Sequence, residues 1–502
     1  MRITNLKRLF FIVFISIGNT SFSQEQSLSY DLITVQELIE DVDVLKSNLE
    51  TIHAGLYNHT SKEEMDAAFR EIKDKINKPM SATEFYRIIA CLHKYIKNGH
   101  TIIIPSEDFD NATANTTPIF PLDVYWDKNS LYVLRNNSDN ISLPVGSRLD
   151  SINGYSAGEL FTKMAGLWTR DGNNKTFPEG ITQRAFSGFY INFIGNPEMY
   201  DIVYTKYDLG TSAKLNLKGL TNLVIAKNRK ERYGDIHDYW QKRDGDAITL
   251  ELKGNTALLK IKTCSNSDIR KFGRSIKGIM NRFFNRIIDN KVEHLIVDLR
   301  NNGGGDEIVS RELFRHISEK PFVLFGDSYL ITNKIPNKGL YKENVGLINT
   351  FSKIGINRSK DGNFRLNAFG RLIYRSSTKF KEHNPYKKKY NGKIYTLTNA
   401  YTFSAAGEIA SSMKTNTKSI FIGEEAGGNS TVLVAGEVFT LVLPNSKNRV
   451  RIPVVNQEVH TTVKQRDRGV IPDYQVRNNI HDMMEGKDAM LEFTYNLIKE
   501  KG

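Results

Sequence analysis

The sequence predicts an α/β protein, a layered core of strands alternating with helices, preceded by a small helical domain and a β domain. Three observations carry this. Strand-like apolar runs alternate with helical stretches between about residues 245 and 480, residues 33–98 are helical in spacing throughout, and from about 118 to 220 the texture changes to short strands punctuated by Gly and Pro. A chain of 502 residues calls for about three such units.

The chain opens with Arg2, Lys7 and Arg8, an apolar run from Leu9 to Ile17, and Ser21-Phe22-Ser23 before Gln24. That is the layout of a secretory signal over residues 1–23, with cleavage expected after Ser23. The run is too short to span a bilayer, which takes about 20 residues, and no cysteine near the cut could carry a lipid. The mature chain is expected to be exported, to a periplasm or outside the cell, without a membrane span.

Residues 24–105 are the helical domain. Leu38, Ile39, Val42, Leu45 and Leu49 recur at helical spacing, and Ser61 with Glu64, then Ser81 with Glu84, form start signals of the capping-box type. The domain ends at Lys97-Asn98-Gly99-His100-Thr101, followed by a strand at Ile102 to Ile104. Residues 106–244 are the β domain, with strands at Leu122–Tyr125, Leu131–Leu134 and Ile202–Tyr204. Within it, Val145-Gly146-Ser147-Arg148-Leu149-Asp150-Ser151-Ile152-Asn153-Gly154 and a helix from about Ala157 to Met164 resemble the core of a PDZ domain, a module that binds a chain end by adding it as a strand to a sheet edge. Any small β domain with a glycine turn is the plainer alternative, and the segment Trp168–Met199 is longer than a compact PDZ needs.

Residues 245–502 are the layered core. Strands are expected at Ala257–Ile261, Leu295–Leu299, Lys393–Thr398 and Ser419–Gly423, with helices from Ser267 to Asp289, from Ser404, and from Asp482 to Lys499. Ile269, Phe272, Ile276, Ile279, Phe283 and Ile287 give the first helix one apolar stripe to lay on a sheet. The stretch from about Asn333 to Tyr386 interrupts the alternation as an inserted flap.

Composition excludes several functions. At 40% hydrophobic and 25% charged residues the chain is not a disordered one. The net charge of +13 is scattered, and its densest clusters, Lys387–Lys389 and Lys227–Arg232, read as solvated loops, so no nucleic-acid partner is expected. Two cysteines, Cys91 and Cys264, in apolar surroundings exclude a disulfide framework, and the histidines make no ligand group with them, so neither metal nor other cofactor is expected.

Chemistry concentrates in two strand-to-turn junctions. The run His294-Leu295-Ile296-Val297-Asp298-Leu299-Arg300-Asn301-Asn302-Gly303-Gly304-Gly305-Asp306 is a buried strand entering a glycine turn, where bare N–H groups can face a developing oxyanion. A plain turn is the alternative, and the spacing of a phosphate loop is missing. The second junction, Tyr395 to Ala410, puts Ser404 at a helix N-terminus, where the partial positive charge favours an alkoxide. Taken alone, a serine there is a helix cap.

Four motifs occur in order: Asp298-Leu299-Arg300-Asn301-Asn302-Gly303-Gly304-Gly305; Thr402-Phe403-Ser404-Ala405-Ala406; Gly423-Glu424-Glu425-Ala426-Gly427-Gly428; and Gly469-Val470-Ile471-Pro472-Asp473. Together they resemble the C-terminal processing peptidases and the tricorn-protease core, serine peptidases of crotonase-like fold, over roughly residues 30 to 480. The resemblance implies a crotonase-like layered core, Ser404 as nucleophile, and an oxyanion hole from the Ala405 amide with one from the Gly303-Gly304 turn. Processing peptidases carry their lysine base directly after the second glycine of the third motif, after Gly428 here, and this chain has Asn429, which cannot take a proton. The tricorn-like branch takes a histidine from the region ahead of its PDZ domain, which implies His100, an imidazole able to accept and return a proton near neutral pH. That branch also places a serine before its histidine, where this chain has Gly99, and a glutamate ahead of the fourth motif, where Asp467 stands between two arginines as either the orienting acid or a surface ion pair. Glu408, one turn beyond Ser404, is offset by one from the family's glutamate and reads as structural, near the site.

Such a protein would cleave peptides or unfolded polypeptides through an acyl-enzyme on Ser404. The competing reading is a secreted binding protein on the same scaffold, its catalysis lost with the lysine. Neither reading fixes an oligomeric state. A penicillin-recognising enzyme is set aside, since Ser411-Ser412-Met413-Lys414 and Ser138-Asp139-Asn140 stand in the wrong order with no Lys-Thr-Gly.

Overall fold

A computed structural model describes residues 31–207, 209–234, 246–271, 275–332, 334–343, 364–366, 372–374 and 382–501. The expected signal at 1–23 and most of the flap at 333–386 lie outside the described residues. The head holds α1 (Val35–Ile52), α2 (Lys62–Lys75), α3 (Ala82–Ile89), α4 (His93–Ile96), β1 (Ile102–Ile104) and α5 (Glu107–Asn115). Both expected capping boxes are present, Ser61 with Glu64 and Ser81 with Glu84, and Thr34 with Glu37 makes another at the start of α1.

The PDZ-like region follows as β2 (Leu122–Asp127), β3 (Ser130–Asn136), β4 (Arg148–Ile152), β5 (Tyr155–Ser156), α6 (Ala157–Gly166), α7 (Thr176–Arg184), α8 (Phe186–Phe193), β6 (Met199–Thr205), β7 (Ser212–Lys218) and α9 (Asn222–Tyr233). Its sheet runs β2-β3-β4-β6-β7, with β5 on β4. Lys227–Arg232 lies on α9 and is not a loop.

The distal part contains β8 (Ile248–Lys253), β9 (Thr256–Ile261), α10 (Asn266–Arg270), α11 (Ile276–Asp289), β10 (His294–Asp298), α12 (Ile308–Ile317), β11 (Phe325–Leu330), β12 (Phe364–Leu366), β13 (Leu372–Tyr374), β14 (Lys393–Thr398), α13 (Ala405–Asn416), β15 (Ile420–Gly423), β16 (Val432–Val442), β17 (Arg449–Val459), β18 (Tyr474–Gln475), α14 (Ile480–Glu485) and α15 (Ala489–Lys501). Two helices expected as single pieces are divided, the one from Ser267 into α10 and α11 and the terminal one into α14 and α15. Cys91 is half-buried and not a core residue, whereas Cys264 is fully buried.

Two features of this layout position the site. The core sheet runs β18-β15-β14-β10-β9-β8 and is parallel from β18 to β9. Every residue of β10 is buried, as expected for a strand covered on both faces. With β10 and β14 adjacent and Asp298 opposite Leu397, the turns after both strands emerge at the same sheet edge, where open α/β sheets place their ligands. The second feature is a sheet ordered β1-β17-β11-β13-β12, with β16 on β17. In it β1 of the head pairs antiparallel with β17, Ile102 opposite Arg451, so the segment carrying His100 is tied to the distal part. One apolar core, including Leu45 and Phe85 of the head, Phe161 and Tyr200 of the PDZ-like region and Leu441 and Ile452 of the β16–β17 hairpin, runs across all three regions.

Candidate active site

Ser404 sits at the N-cap of α13 with φ 55° and ψ −126°. A non-glycine residue there costs on the order of 1–3 kcal/mol and persists only when its surroundings hold it. They do. The Asn399 N–H donates to Thr402 Oγ1 (3.0 Å) and the Thr402 N–H to Asn399 O (2.9 Å). The Phe403 N–H donates to Asn302 O (3.0 Å) and Asn399 Nδ2 to Asn301 Oδ1 (2.7 Å), stitching this turn to the glycine turn after β10.

Gly304 serves that junction by having no side chain. A Cβ at its position, φ +100°, would stand 2.6 Å from Ser404 Cβ and 2.8 Å from the Ala405 nitrogen. Its own N–H is already given to Asn302 Oδ1 (2.9 Å), which takes the Gly304 amide out of the expected oxyanion hole. Among the described residues neither the Gly303 nor the Ala405 N–H has a protein acceptor, and the Ala405 N–H directly follows the serine. Ala405 opens α13, where backbone donors and dipole favour negative charge.

His100 reaches this junction from the head. Its ring stacks on Phe403, the residue before Ser404, with centroids 4.6 Å apart, and Phe177 of α7 stacks on the other side of Phe403 at 4.4 Å. The loop carrying the histidine is bound on every side. Thr169 Oγ1 donates to Asn98 O (2.6 Å), Thr101 Oγ1 donates to Asn98 Oδ1 (2.8 Å) and also bonds His53 Nε2 (2.6 Å). Burial, and after it the charge of Arg451, pushes the His100 imidazole down to about 3, so at neutral pH the ring is uncharged.

Asn429, at the position of the family's lysine, is a staple. Its N–H donates to Asp171 Oδ2 (3.1 Å), its Nδ2 to Arg466 O (2.8 Å), and its Oδ1 accepts from the Thr431 N–H (2.8 Å). The preceding Gly428 N–H bonds Thr402 O (3.3 Å), which keeps the third motif against the serine turn. Glu408 is buried on α13, its Oε1 accepting from Ser310 Oγ (2.9 Å) and Ser412 Oγ (3.1 Å), which suits a structural role under the helix. The Asp467 carboxylate accepts from Asn173 Nδ2 (2.7 Å) and its carbonyl from the Asn173 N–H (2.7 Å), a clamp on the 171–174 turn.

That turn holds the residue that sequence reasoning passed over. Asp171 is 4% exposed. Its Oδ1 accepts from the Gly99 N–H at 2.6 Å, beside His100, while Oδ2 takes the Asn429 N–H. Burial raises its carboxyl to about 6, the two N–H bonds offsetting only part of the cost. The polar turn string Asp171-Gly172-Asn173-Asn174 at the start of the insert was the available signal. Glu425 was passed over too. It makes a forked pair with Arg468 (2.9 and 2.5 Å) and accepts from the Gly469 N–H (2.9 Å), joining the third motif to the fourth.

Residues 255–476 match the model of peptidase family S41. The protein is thus a serine-type peptidase, a hydrolase. No curated protein matches the chain. Among solved structures, mature CPAF complexed with lactacystin is similar at a TM-score of 0.63 and 15% identity, covering 92% of this chain and 97% of that one. Mature CPAF in a second structure scores 0.60 at 14% identity, covering 90% and 95%. These two share the layered fold. The photosystem II D1 C-terminal processing protease is more distant, at 0.40 and 12% identity over 90% of this chain and 98% of that one.

Proposed function

We propose that the protein is an exported peptidase that cleaves peptides or unfolded polypeptides through an acyl-enzyme on Ser404, with His100 as the base. The observation that carries this is the stack of His100 on Phe403, one residue from a serine whose strained backbone is wedged against Gly304. The neutral imidazole takes the Oγ proton as Oγ attacks the scissile carbonyl, and the amides of Ala405 and Gly303 hold the oxyanion. The imidazolium then protonates the leaving amine, and a water activated by the same imidazole hydrolyses the ester, regenerating Ser404. Asp467 acts through the turn it clamps.

Where the substrate adds as a strand, β7 is the available edge. At the opposite edge, β2, the Trp126 N–H is taken by Gln183 Oε1 (2.9 Å) and its carbonyl by Arg477 Nη2 (2.5 Å). Among the described residues no helix is long and apolar enough to cross a membrane, and export rests on the layout of residues 1–23. The test is proteolysis of an unfolded polypeptide together with fluorophosphonate labelling of the mature chain. Wild type should cleave and label and Ser404→Ala should do neither, and equal labelling of the two would remove the serine mechanism.

A further inference from the structure

We propose that Asp171 is a positioning residue of the peptidase reaction, its carboxylate holding the His100 loop in register with the Ser404 loop; this deepens, and rests on, the Ser404–His100 reading above. The carboxylate spans the joint between head and core at the point where base and nucleophile must meet. One oxygen holds the residue before His100 through the Gly99 N–H (2.6 Å), and the other holds Asn429 through its N–H (3.1 Å). Asn429 follows Gly428, whose N–H bonds the carbonyl of Thr402, two residues before Ser404. The link from imidazole loop to serine loop is therefore continuous.

The chemistry of the joint calls for a carboxylate. Three donors face Asp171, the Gly99 and Asn429 N–H groups and, at 3.4 Å, Asn98 Nδ2, and an acid presents an acceptor to each, whereas an amide would turn its NH₂ toward one side and leave an N–H there buried without a partner. The fit on the histidine side is close, since a Cβ on Gly99 would stand 2.8 Å from the Phe403 ring, so the loop has little room to drift without losing the stack. Pairing of β1 with β17 anchors the chain beyond His100, and Asp171 anchors it before. The insert that departs from a compact PDZ thereby becomes part of the catalytic frame.

The test compares the mature wild type with Asp171→Asn and Asp171→Ser by thermal melting, by kcat and KM on an unfolded polypeptide, and by the second-order rate of fluorophosphonate labelling. In a folded variant, labelling and kcat should fall roughly tenfold to a hundredfold while KM stays within about twofold, as expected for a misplaced base with an intact substrate site. Labelling at the wild-type rate, or a rise in KM with kcat unchanged, overturns the proposal. Should the Asn variant not fold, the Ser variant, which removes both carboxylate oxygens without adding a misdirected donor amide, is read for the same split, and failure of both to fold overturns a positioning role in favour of a structural one. Ser404→Ala measured alongside keeps the two failures apart. If it labels like wild type the serine mechanism falls, and if only the Asp171 variants match wild type then Asp171 alone loses its role.

Discussion

On the core side of the site, Ser404 is held by backbone: a positive φ, a helix N-terminus, and a glycine turn close enough that one methyl group at Gly304 would strike it. On the head side, His100 is held by side chains, with Asn98, Thr101, Thr169 and Asp171 supplying the bonds and Phe403 the stacking face. The contrast sets what each half tolerates. The backbone-built half should fail on added volume, and the side-chain-built half on a lost acceptor or a changed charge.

Short of removing the serine or His100 itself, the largest effect should come from Gly304→Ala. The new Cβ must push the Ser404 loop off its strained geometry, and labelling should fall on the order of a hundredfold to a thousandfold, the scale of a lost oxyanion hole. Wild-type labelling would show that the two turns are not in contact, and the comparison would collapse. The Asp171 variants come next, as set out above.

Acid should act on the head as well as the core, where burial also pushes His316 down to about 4. His53, His93 and His100 are buried in or beside the His100 loop, with burial pushing them to about 4, about 4 and about 3. Unfolded, each titrates near 6.5, so below that pH the unfolded chain binds more protons and stability is lost as pH falls toward the folded values. Asp171 works in the opposite sense. Its carboxyl, raised to about 6, holds a proton that the unfolded chain releases above its ordinary 3.8, so its contribution is lost as pH rises through that window. The lowered histidines, His59, His294 and His316 included, outnumber the raised carboxyls of Asp41, Asp110, Asp171 and Glu179, so the melting temperature should drop from pH 7 to pH 5, and a flat or rising one would contradict the burial of these rings.

The smallest effect is expected of Asp467→Ala. Its half-exposed carboxylate serves Asn173 and not the reacting atoms, so stability should fall by about 0.5–1.5 kcal/mol, read from denaturant midpoints, and kcat by no more than about threefold. A loss as large as that of His100→Ala would make Asp467 the orienting acid after all.

What the sequence made legible follows this same division. The core half was readable because its signals are local: β14 ends at Thr398 as expected, Ser404 opens a helix, and the glycines mark a place where two turns touch. The capping boxes of α2 and α3 were legible for the same reason. The β16–β17 hairpin went unread, since Gly436 and Glu437 interrupt the first strand at an irregularity of register and Pro453 the second. Asp171 was hidden by distance along the chain, since its partners Gly99 and Asn429 lie 72 and 258 residues away. The helices α7 and α8 entered the reading only as surplus length, yet they bring Phe177 and, just ahead of them, Asp171 to the site.

The most direct measurement is the second-order rate of fluorophosphonate labelling of His100→Ala beside wild type at neutral pH, with both confirmed folded by melting. If an imidazole from the head serves a hydroxyl from the core, the rate should fall by about 10²–10⁴, the usual contribution of a positioned base, while Ser404 remains the labelled residue. An unchanged rate would mean that Ser404 is activated without His100, and the two halves would not form one catalytic site.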